Sequence, residues 1–414
     1  MSRRRRSPKP FGAGKTRAAE TSSGGAVITR RLGRALPRCH IRDRDRSRLS
    51  STTRTFTVLT RRAAAASKSI LGRLPNEILT EVMWDLLPQD LLALCNTSRL
   101  LRELATPLLY RWARLSTGFQ ADRFVRRLKR PSAASLGHHV RELSVEATVK
   151  LSPKLVDSLT SVVSRFARLQ RLELSAHRSV AWSDLLREAS FPQLTASRCG
   201  LQHGSLPLLP PFLNRHSATL RELTLLAVDI DADRLDQPVS LPNLLDLTGP
   251  CAMMHAFGPS KSIREVFSYG AGPEPAQLLQ HLAEITSSSL TTLMLACRWD
   301  SPTPVTMLQS VATHLPHLRI FRFTGRHHDG AGRISPEAAR EAATWLERCS
   351  ALATLELRSE PFPPDTVADA HLTHDHETVR LWGASCKSLS EISLHGQRWK
   401  SADGRWCVEQ LGPS

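Results

Sequence analysis

From residue 140 onward, apolar residues return in one repeated pattern. An apolar residue is followed by two variable residues, a second apolar residue, one variable residue and a third apolar residue. The clearest copies begin at Val140, Leu169, Leu220, Leu290, Leu318, Leu352 and Leu389, and weaker copies begin at Leu194, Leu244 and Ile263. At the end of each copy apolar and variable residues alternate, as they do in a short strand with one buried face. Segments with helical periodicity lie between copies, as at 154–166, 275–285, 304–314 and 336–349.

These units are predicted to stack, because one strand and one helix cannot bury their own leucines whereas neighbouring units can. Most copies are spaced by about the 20–29 residues of leucine-rich repeats. We therefore predict an α/β fold in which residues 138–414 form an irregular leucine-rich-repeat solenoid with parallel strands on its concave side. An unrelated α/β domain is the alternative, because the motif alone is common. Asp403-Gly404 predicts a hairpin turn near the end, where Trp399 and Trp406 would cap the last unit.

A second apolar pattern, over residues 74–115, has the spacing of short helices. Pro88 is expected to end the first helix and Asp90 to cap the second. Pro107 is expected to open a last short helix that carries Tyr110 and Trp112. Because about 40 residues are near the limit of independent folding, part of this apolar surface is expected to meet another chain or the following domain.

Residues 74–115 also contain a series of short motifs in a characteristic order. In chain order it contains Leu74-Pro75, Glu77-Ile78-Leu79, Leu87-Pro88, Asp90-Leu91-Leu92, Leu94, Ser98-Arg99, Leu104-Ala105 and residues 108–112. With these features the stretch resembles an F-box, the helical module that docks on the Skp-type adaptor of cullin-RING ubiquitin ligases. The final strand and its Trp-bearing hairpin likewise resemble the end of many fungal-type F-box proteins. An ordinary helical cap is the alternative interpretation.

The resemblance implies a substrate-receptor adaptor of an SCF-type E3 ubiquitin ligase, a non-catalytic subunit that acts through proximity. The implied partners are the Skp-type adaptor, the cullin scaffold and a substrate protein bound by the repeats. The positions that match the family's adaptor contacts are Leu74, Pro75, Glu77, Ile78, Leu79, Val82, Leu91, Leu92, Leu94 and Cys95. Two alternatives remain open: a repeat scaffold without a ligase role, and a nucleic-acid protein that uses its basic tail.

Four segments are therefore predicted: a disordered Arg-rich tail (1–70), the F-box (71–115), a linking helix (116–137) and the repeats (138–414). Residues 119–130 suggest the linking helix, which Pro131 would end. Only three residues separate it from the preceding helices, too few for a flexible linker. A rigid junction is expected, with Trp112 and Phe124 buried in it.

The formal net charge of the chain is +18, but its distribution does not alter the predicted fold or function. Residues 1–70 hold 16 arginines and 3 lysines against 3 acidic residues, so the remaining chain is nearly neutral. Nucleic acid is therefore not an expected partner of the ordered part. The tail is interpreted as solvated, with a nuclear-import tag or an electrostatic arm as alternatives. Residues 12–16 imitate the end of a P-loop but lack its first glycine.

The cysteines and the apolar runs bear on localisation. The 8 cysteines include no C-x-x-C pair, as in proteins of a reducing compartment. No run approaches the ~18 apolar residues of a membrane span, so no membrane contact is expected and the predicted location is cytoplasmic or nuclear. His371, His374 and His376, with Asp375 and Glu377, could hold zinc, but a solvated loop is the preferred interpretation. We expect no catalytic residues, cofactor or metal.

Overall fold

The computed structural model describes residues 74–146, 151–175, 182–201, 203–227, 238–270, 274–297, 304–326, 334–360 and 369–409. Within these residues the chain is a mixed α/β structure with one open sheet of 13 strands. The strand order in the sheet is the order along the chain. The basic tail and the P-loop-like residues 12–16 lie outside the described residues.

The strands are short and lie side by side in register. They are β1 (Trp112–Leu115), β2 (Glu142–Val145), β3 (Arg171–Leu174), β4 (Ala196–Leu201), β5 (Glu222–Ala227), β6 (Asp246–Pro250), β7 (Glu265–Gly270), β8 (Thr292–Cys297), β9 (Ile320–Arg326), β10 (Thr354–Glu360), β11 (Glu391–Leu394), β12 (Gln397–Ala402) and β13 (Arg405–Val408). Strands β1 to β11 are parallel. Strands β12 and β13 are antiparallel. Each of the ten predicted motif copies supplies one strand, β2 to β11, so that prediction is confirmed.

Helices precede the sheet and connect most of its strands. The α-helices are α1 (Asn76–Trp84), α2 (Pro88–Thr97), α3 (Arg99–Arg111), α4 (Gly118–Leu128), α5 (Pro153–Val163), α6 (Ser183–Glu188), α7 (Leu209–Arg215), α8 (Pro275–Thr286), α9 (Pro304–His314), α10 (Pro336–Leu346) and α11 (Asp369–Ser385). Short 3-10 helices cover Pro131–His139, His203–Leu208 and Cys251–Ala256. Among the helices of the described residues, none is both long enough and apolar enough to cross a bilayer.

The main core lies between one face of the sheet and the connecting helices. Alternate strand residues point into it, so that Leu172 and Leu174 of β3 are at most 1% exposed. Helix residues such as Leu159 and Leu279 belong to the same apolar cluster. Burying each such side chain contributes about 1.5–3 kcal/mol, which explains why the apolar motif fixes the positions of the strands.

The helical segment differs from its prediction in two places. Pro88 is the first residue of α2 rather than the end of α1, and Asp90 lies in the first turn of α2 rather than at its cap. Pro107 does not open a new helix, because α3 continues through it to Arg111. Trp112, expected in that helix, begins the first strand of the sheet instead. The sheet therefore starts within the segment 71–115 that was predicted to be helical, and not with the repeats at residue 138.

The junction after β1 is a packed one. Helix α4 confirms the predicted linking helix but ends at Leu128, three residues before Pro131. Val125 and Leu128 are buried in the main core, and the Phe124 ring lies edge-on to Phe166 at a centroid distance of 6.2 Å. The predicted burial of Trp112 is wrong, because strand alternation turns this side chain outward and leaves it 50% exposed.

The C-terminal hairpin forms as predicted. Asp403 and Gly404 both have positive φ, as a tight turn between β12 and β13 requires. Trp399 is buried against the last parallel strand, paired with Ile392. Trp406 packs on α11 at Gly383, where any Cβ would collide with the indole nitrogen. The hairpin therefore covers the end of the apolar core.

Candidate functional site

The three helices before the sheet pack around a small apolar core of their own. Leu79 and Met83 of α1, Leu91 of α2, and Leu101 and Ala105 of α3 form it. Helices α1 and α2 each contact α3. Ser98 caps α3 by accepting a hydrogen bond from the Leu101 N–H at 3.1 Å. The small size of this core leaves many apolar residues of the three helices in contact with water.

The ten residues predicted from the F-box resemblance to contact an adaptor divide into three groups by exposure. Leu74, Pro75, Glu77, Ile78, Val82 and Leu92 are exposed, Leu94 and Cys95 are half-buried, and Leu79 and Leu91 are buried. Ile78 and Val82 are spaced four residues apart and therefore follow one side of α1, and Leu74 lies just before this helix. Leu79 and Leu91 contribute to the helical core, so they cannot offer their side chains to a partner in this structure.

Several exposed apolar residues were not among the predicted contacts. Trp84, Leu87 and Leu100 are 46%, 59% and 39% exposed. The sequence carries a signal for Leu87, since it stands immediately before the helix-starting Pro88. We call Leu74, Ile78, Val82, Leu87 and Leu92 the apolar helix surface.

Arg111 joins the helices to the sheet. Its guanidinium carbon lies 3.6 Å from the centre of the Trp84 ring and 5.3 Å from that of Trp112. Its backbone carbonyl accepts a hydrogen bond from the Arg141 N–H at 2.9 Å, which continues the sheet ladder into α3. The position of the helical cluster is thus tied to the first strand.

The opposite face of the sheet carries exposed and half-buried side chains. Charged residues project from its outer strands and form exposed or half-exposed ion pairs, including Arg171–Glu222 at 3.0 Å and Arg322–Glu356 at 3.2 Å. Such pairs contribute about 1 kcal/mol or less each to stability. They give the two ends of this face a polar character.

The middle of this face is apolar and aromatic. Phe267 and Tyr269 of β7 lie with ring centroids 6.0 Å apart, and Phe267 is paired in register with Met294 of β8. The Tyr269 hydroxyl donates a hydrogen bond to the Leu225 carbonyl at 2.6 Å, which fixes the ring. We call Phe267, Tyr269 and Met294 the central sheet patch.

Carboxylates border the central sheet patch. Glu222, Asp246 and Glu265 occupy matching positions on three adjacent strands. Burial raises the pKa of Asp246, and the charges of Glu265 and Glu222 raise it further. Among the described residues, Asp246 and Glu265 form no ion pair. This border favours a partner that brings positive charge beside an apolar side chain.

The histidine-rich segment near residue 375 is structural. The prediction of a solvated loop is wrong, because residues 369–385 form α11. Asp375 is buried and lies 3.0 Å from Nδ1 of His395. The Nε2 atom of His374 lies 3.1 Å from the Ile334 carbonyl oxygen, and His376 stacks on Trp399. Within the part of the chain that the structure describes, no group of His, Cys, Asp and Glu is arranged to hold a metal ion.

Burial holds two thiols, those of Cys199 and Cys349, in the unreactive protonated form. Burial raises the pKa of Cys199 to about 11 and that of Cys349 to about 12. A nucleophilic cysteine needs the opposite shift. The two surfaces described above, an apolar helix surface and an aromatic sheet patch with an acidic border, are suited to binding.

No family model matches this chain, and no curated protein matches it in sequence.

Proposed function

We propose that this chain is a substrate-receptor adaptor of an SCF-type ubiquitin ligase that works in the cytoplasm or nucleus. The helical cluster docks on the Skp-type adaptor, and the strand–helix units act as an irregular leucine-rich-repeat solenoid that binds the substrate protein. The observation that carries the proposal is the exposure of Ile78, Val82 and Leu92 at positions where the F-box resemblance implies adaptor contacts. Exposed apolar side chains grouped on adjacent helices are typical of a protein interface.

The sheet face supports the second half of this proposal. Phe267 is 37% exposed in the central sheet patch, between the polar and charged ends of the sheet face. Aromatic residues at the centre of an interface often carry much of its binding energy. The acidic border formed by Glu222, Asp246 and Glu265 would select a substrate segment with basic residues beside an apolar one.

The mechanism requires no catalytic group in this chain. A receptor of this kind holds the substrate near the ubiquitin-carrying enzyme, and the gain comes from effective concentration and orientation. Orientation requires a stiff connection between the two binding surfaces. Helix α3 leads directly into β1, and the Arg111 carbonyl continues the sheet ladder.

The direct test is reconstitution with purified partners. The full-length chain is mixed with a Skp-type adaptor and the amino-terminal part of a cullin, and the complex is measured by size-exclusion chromatography with light scattering. The proposal expects one particle that contains all three proteins. A chain that elutes alone at every concentration contradicts it.

A scaffold without a ligase role is the second candidate, and one observation favours it. The helical cluster also stands at the amino-terminal end of the sheet, where a cover would lie, since β1 follows α3 without a loop. Terminal units of repeat proteins need such a cover. The same reconstitution separates the two functions, because a scaffold has no affinity for the adaptor.

A further inference from the structure

A cleft of about 340 Å³ lies where the helical cluster meets the amino-terminal ends of the first strands. Its walls include Trp84, Arg111, His139, Arg141, Arg168 and Gln170. The proposed ligase function uses none of this cleft. Its chemistry differs from that of the apolar helix surface and of the central sheet patch.

The cleft gathers positive charge without a carboxylate to neutralise it. Three arginines and one histidine are among its lining residues, and no acidic residue is. The Arg141 guanidinium donates to two neutral acceptors, the Gln193 Oε1 atom at 3.1 Å and the Arg168 carbonyl at 3.4 Å. Burial lowers the pKa of Arg141, and the charges of Arg168 and Arg111 lower it further. Arginine side chains nevertheless stay protonated near neutral pH. The three guanidinium groups of the cleft are therefore all positively charged and repel one another.

Arg111 holds unused hydrogen-bond donors at this cleft. Its Nε and Nη1 atoms are buried and have no hydrogen-bond partner among the described residues. The rings of Trp84 and Trp112 lie against its guanidinium. Aromatic rings of this kind fix the plane of the guanidinium but accept no in-plane hydrogen bond. A buried N–H without an acceptor is costly, and an oxyanion in the cleft would remove that cost once the guanidinium turns these atoms toward it.

We propose that this cleft binds a phosphate monoester. A phosphate dianion offers three terminal oxygens to the guanidinium groups, which form paired N–H···O bonds with such oxygens. The volume leaves room for the first atoms of the ester's organic part. That part would extend past Gln170 into the adjoining polar groove of about 750 Å³, which Gln193 and Arg221 also line.

His139 provides an internal reporter for the bound charge. Burial lowers its pKa, and the charges of Arg168, His138 and Arg141 lower it further. A dianion in the cleft acts in the opposite direction and raises the pKa of His139. This response requires the ligand to be in the cleft rather than on the basic tail.

The test is calorimetric titration of the full-length chain with phenyl phosphate in about 0.15 M salt, where diffuse attraction is screened. Saturable binding is expected. The double variant Arg141→Gln, Arg168→Gln should weaken it by about tenfold or more. Arg165→Gln is the matched control, because this exposed arginine lies three residues from Arg168 and does not line the cleft. Arg168→Gln alone serves if the double variant does not fold.

The source of the phosphate is distinguished by two further probes, N-acetyl-phosphoserine amide and glycerol phosphate. Tighter binding of the first indicates a phosphorylated protein, and tighter binding of the second a free metabolite. Absence of saturable binding overturns the proposal. The proposal is also overturned if the double variant binds phenyl phosphate as tightly as the unmodified chain, or if Arg165→Gln loses as much affinity as the double variant. A His139 pKa that does not change when phenyl phosphate binds overturns it as well.

Discussion

The Arg111 guanidinium lies over the Trp84 indole, with 3.6 Å between the guanidinium carbon and the ring centre. The two residues are the last of α3 and the last of α1. Because β1 begins immediately after Arg111, this contact connects the orientation of α1 to the position of the sheet. The apolar helix surface is therefore held at a fixed place relative to the sheet face.

The first prediction concerns this contact. Trp84→Ala should lower the free energy of unfolding by about 1–2 kcal/mol, because it removes a cation–π interaction and part of the buried ring area. Leu87→Ala, at a more exposed apolar site three residues away, is the control and should change it by less than about 0.5 kcal/mol. Urea unfolding followed by circular dichroism measures both. Equal effects would show that Trp84 does not fix the helices.

The second prediction separates the neighbours Leu91 and Leu92. Leu91 is 5% exposed in the helical core and Leu92 is 51% exposed. Leu91→Ala should cost about 2–5 kcal/mol of stability, whereas Leu92→Ala should cost less than about 0.5 kcal/mol. Amide hydrogen exchange over residues 76–111 reports the loss locally. Equal protection in the two variants would contradict the assigned orientation of α2.

The third prediction concerns pH and His216. The Phe191 N–H donates a hydrogen bond to Nε2 of this buried ring at 2.9 Å. Because Nε2 accepts, the proton of the neutral His216 ring lies on Nδ1, which faces the Phe212 carbonyl oxygen at 2.8 Å. Burial lowers the pKa of His216, and the charge of Arg215 lowers it further, against the carbonyl contact. The neutral ring is thus favoured in the folded state. Its stabilising contribution is present above the unfolded pKa of about 6.5 and is lost as pH falls from there through the lower folded pKa.

Chemical unfolding at a series of pH values tests this dependence. The stability of His216→Gln should be lower at neutral pH but should fall less steeply on acidification. His139 and His317, whose pKa values burial also lowers, are present in both proteins and contribute equally. Identical slopes for the two proteins would refute the role given to His216.

The fourth prediction concerns the buried pair of Asp375 and His395. Their side chains are 2% and 6% exposed, and the pair joins α11 to the residue that follows β11. Asp375→Ala should lower the free energy of unfolding by about 3 kcal/mol, because it removes the buried contact between Asp375 and His395. Glu377→Ala, an exposed change on the same helix, is the control. Thermal unfolding that does not distinguish the two variants would argue against a structural pair.

The sequence predicts the sheet better than it predicts the edge where the sheet begins. Residues such as Leu143 and Val145 repeat at fixed spacing, and their burial determines the strands. Strand β1 has the same spacing in Tyr110, Ala113 and Leu115, but alanine weakens the pattern and the preceding helix conceals it. The opposite case is the motif copy that begins at Ile263, which has Ser268 in place of its third apolar residue. This side chain points inward, where its hydroxyl donates a hydrogen bond to the Cys251 sulfur, and strand β7 forms although the sequence pattern is weak.

The candidate site was only partly predictable for a different reason. The helical segment contains leucine on nearly every side, and packing against α3 decides which leucines are buried. Leu91 and Leu92 are adjacent and chemically identical, so composition and order cannot separate them. The arginine cleft depends on residues far apart in the chain, such as Arg111 and Arg168, which only the folded sheet brings together.

The most direct test of the ligase-receptor proposal is the affinity of the full-length chain for a purified Skp-type adaptor, measured by calorimetry. The double variant Ile78→Ala, Leu92→Ala removes two exposed side chains of the apolar helix surface and should leave the fold intact. If the adaptor covers this surface, the variant should lose about 2 kcal/mol or more of binding free energy. Phe267→Ala, on the sheet face, should bind the adaptor as the unmodified chain does. An unmodified chain without measurable affinity, or a double variant with unchanged affinity, would contradict the proposal.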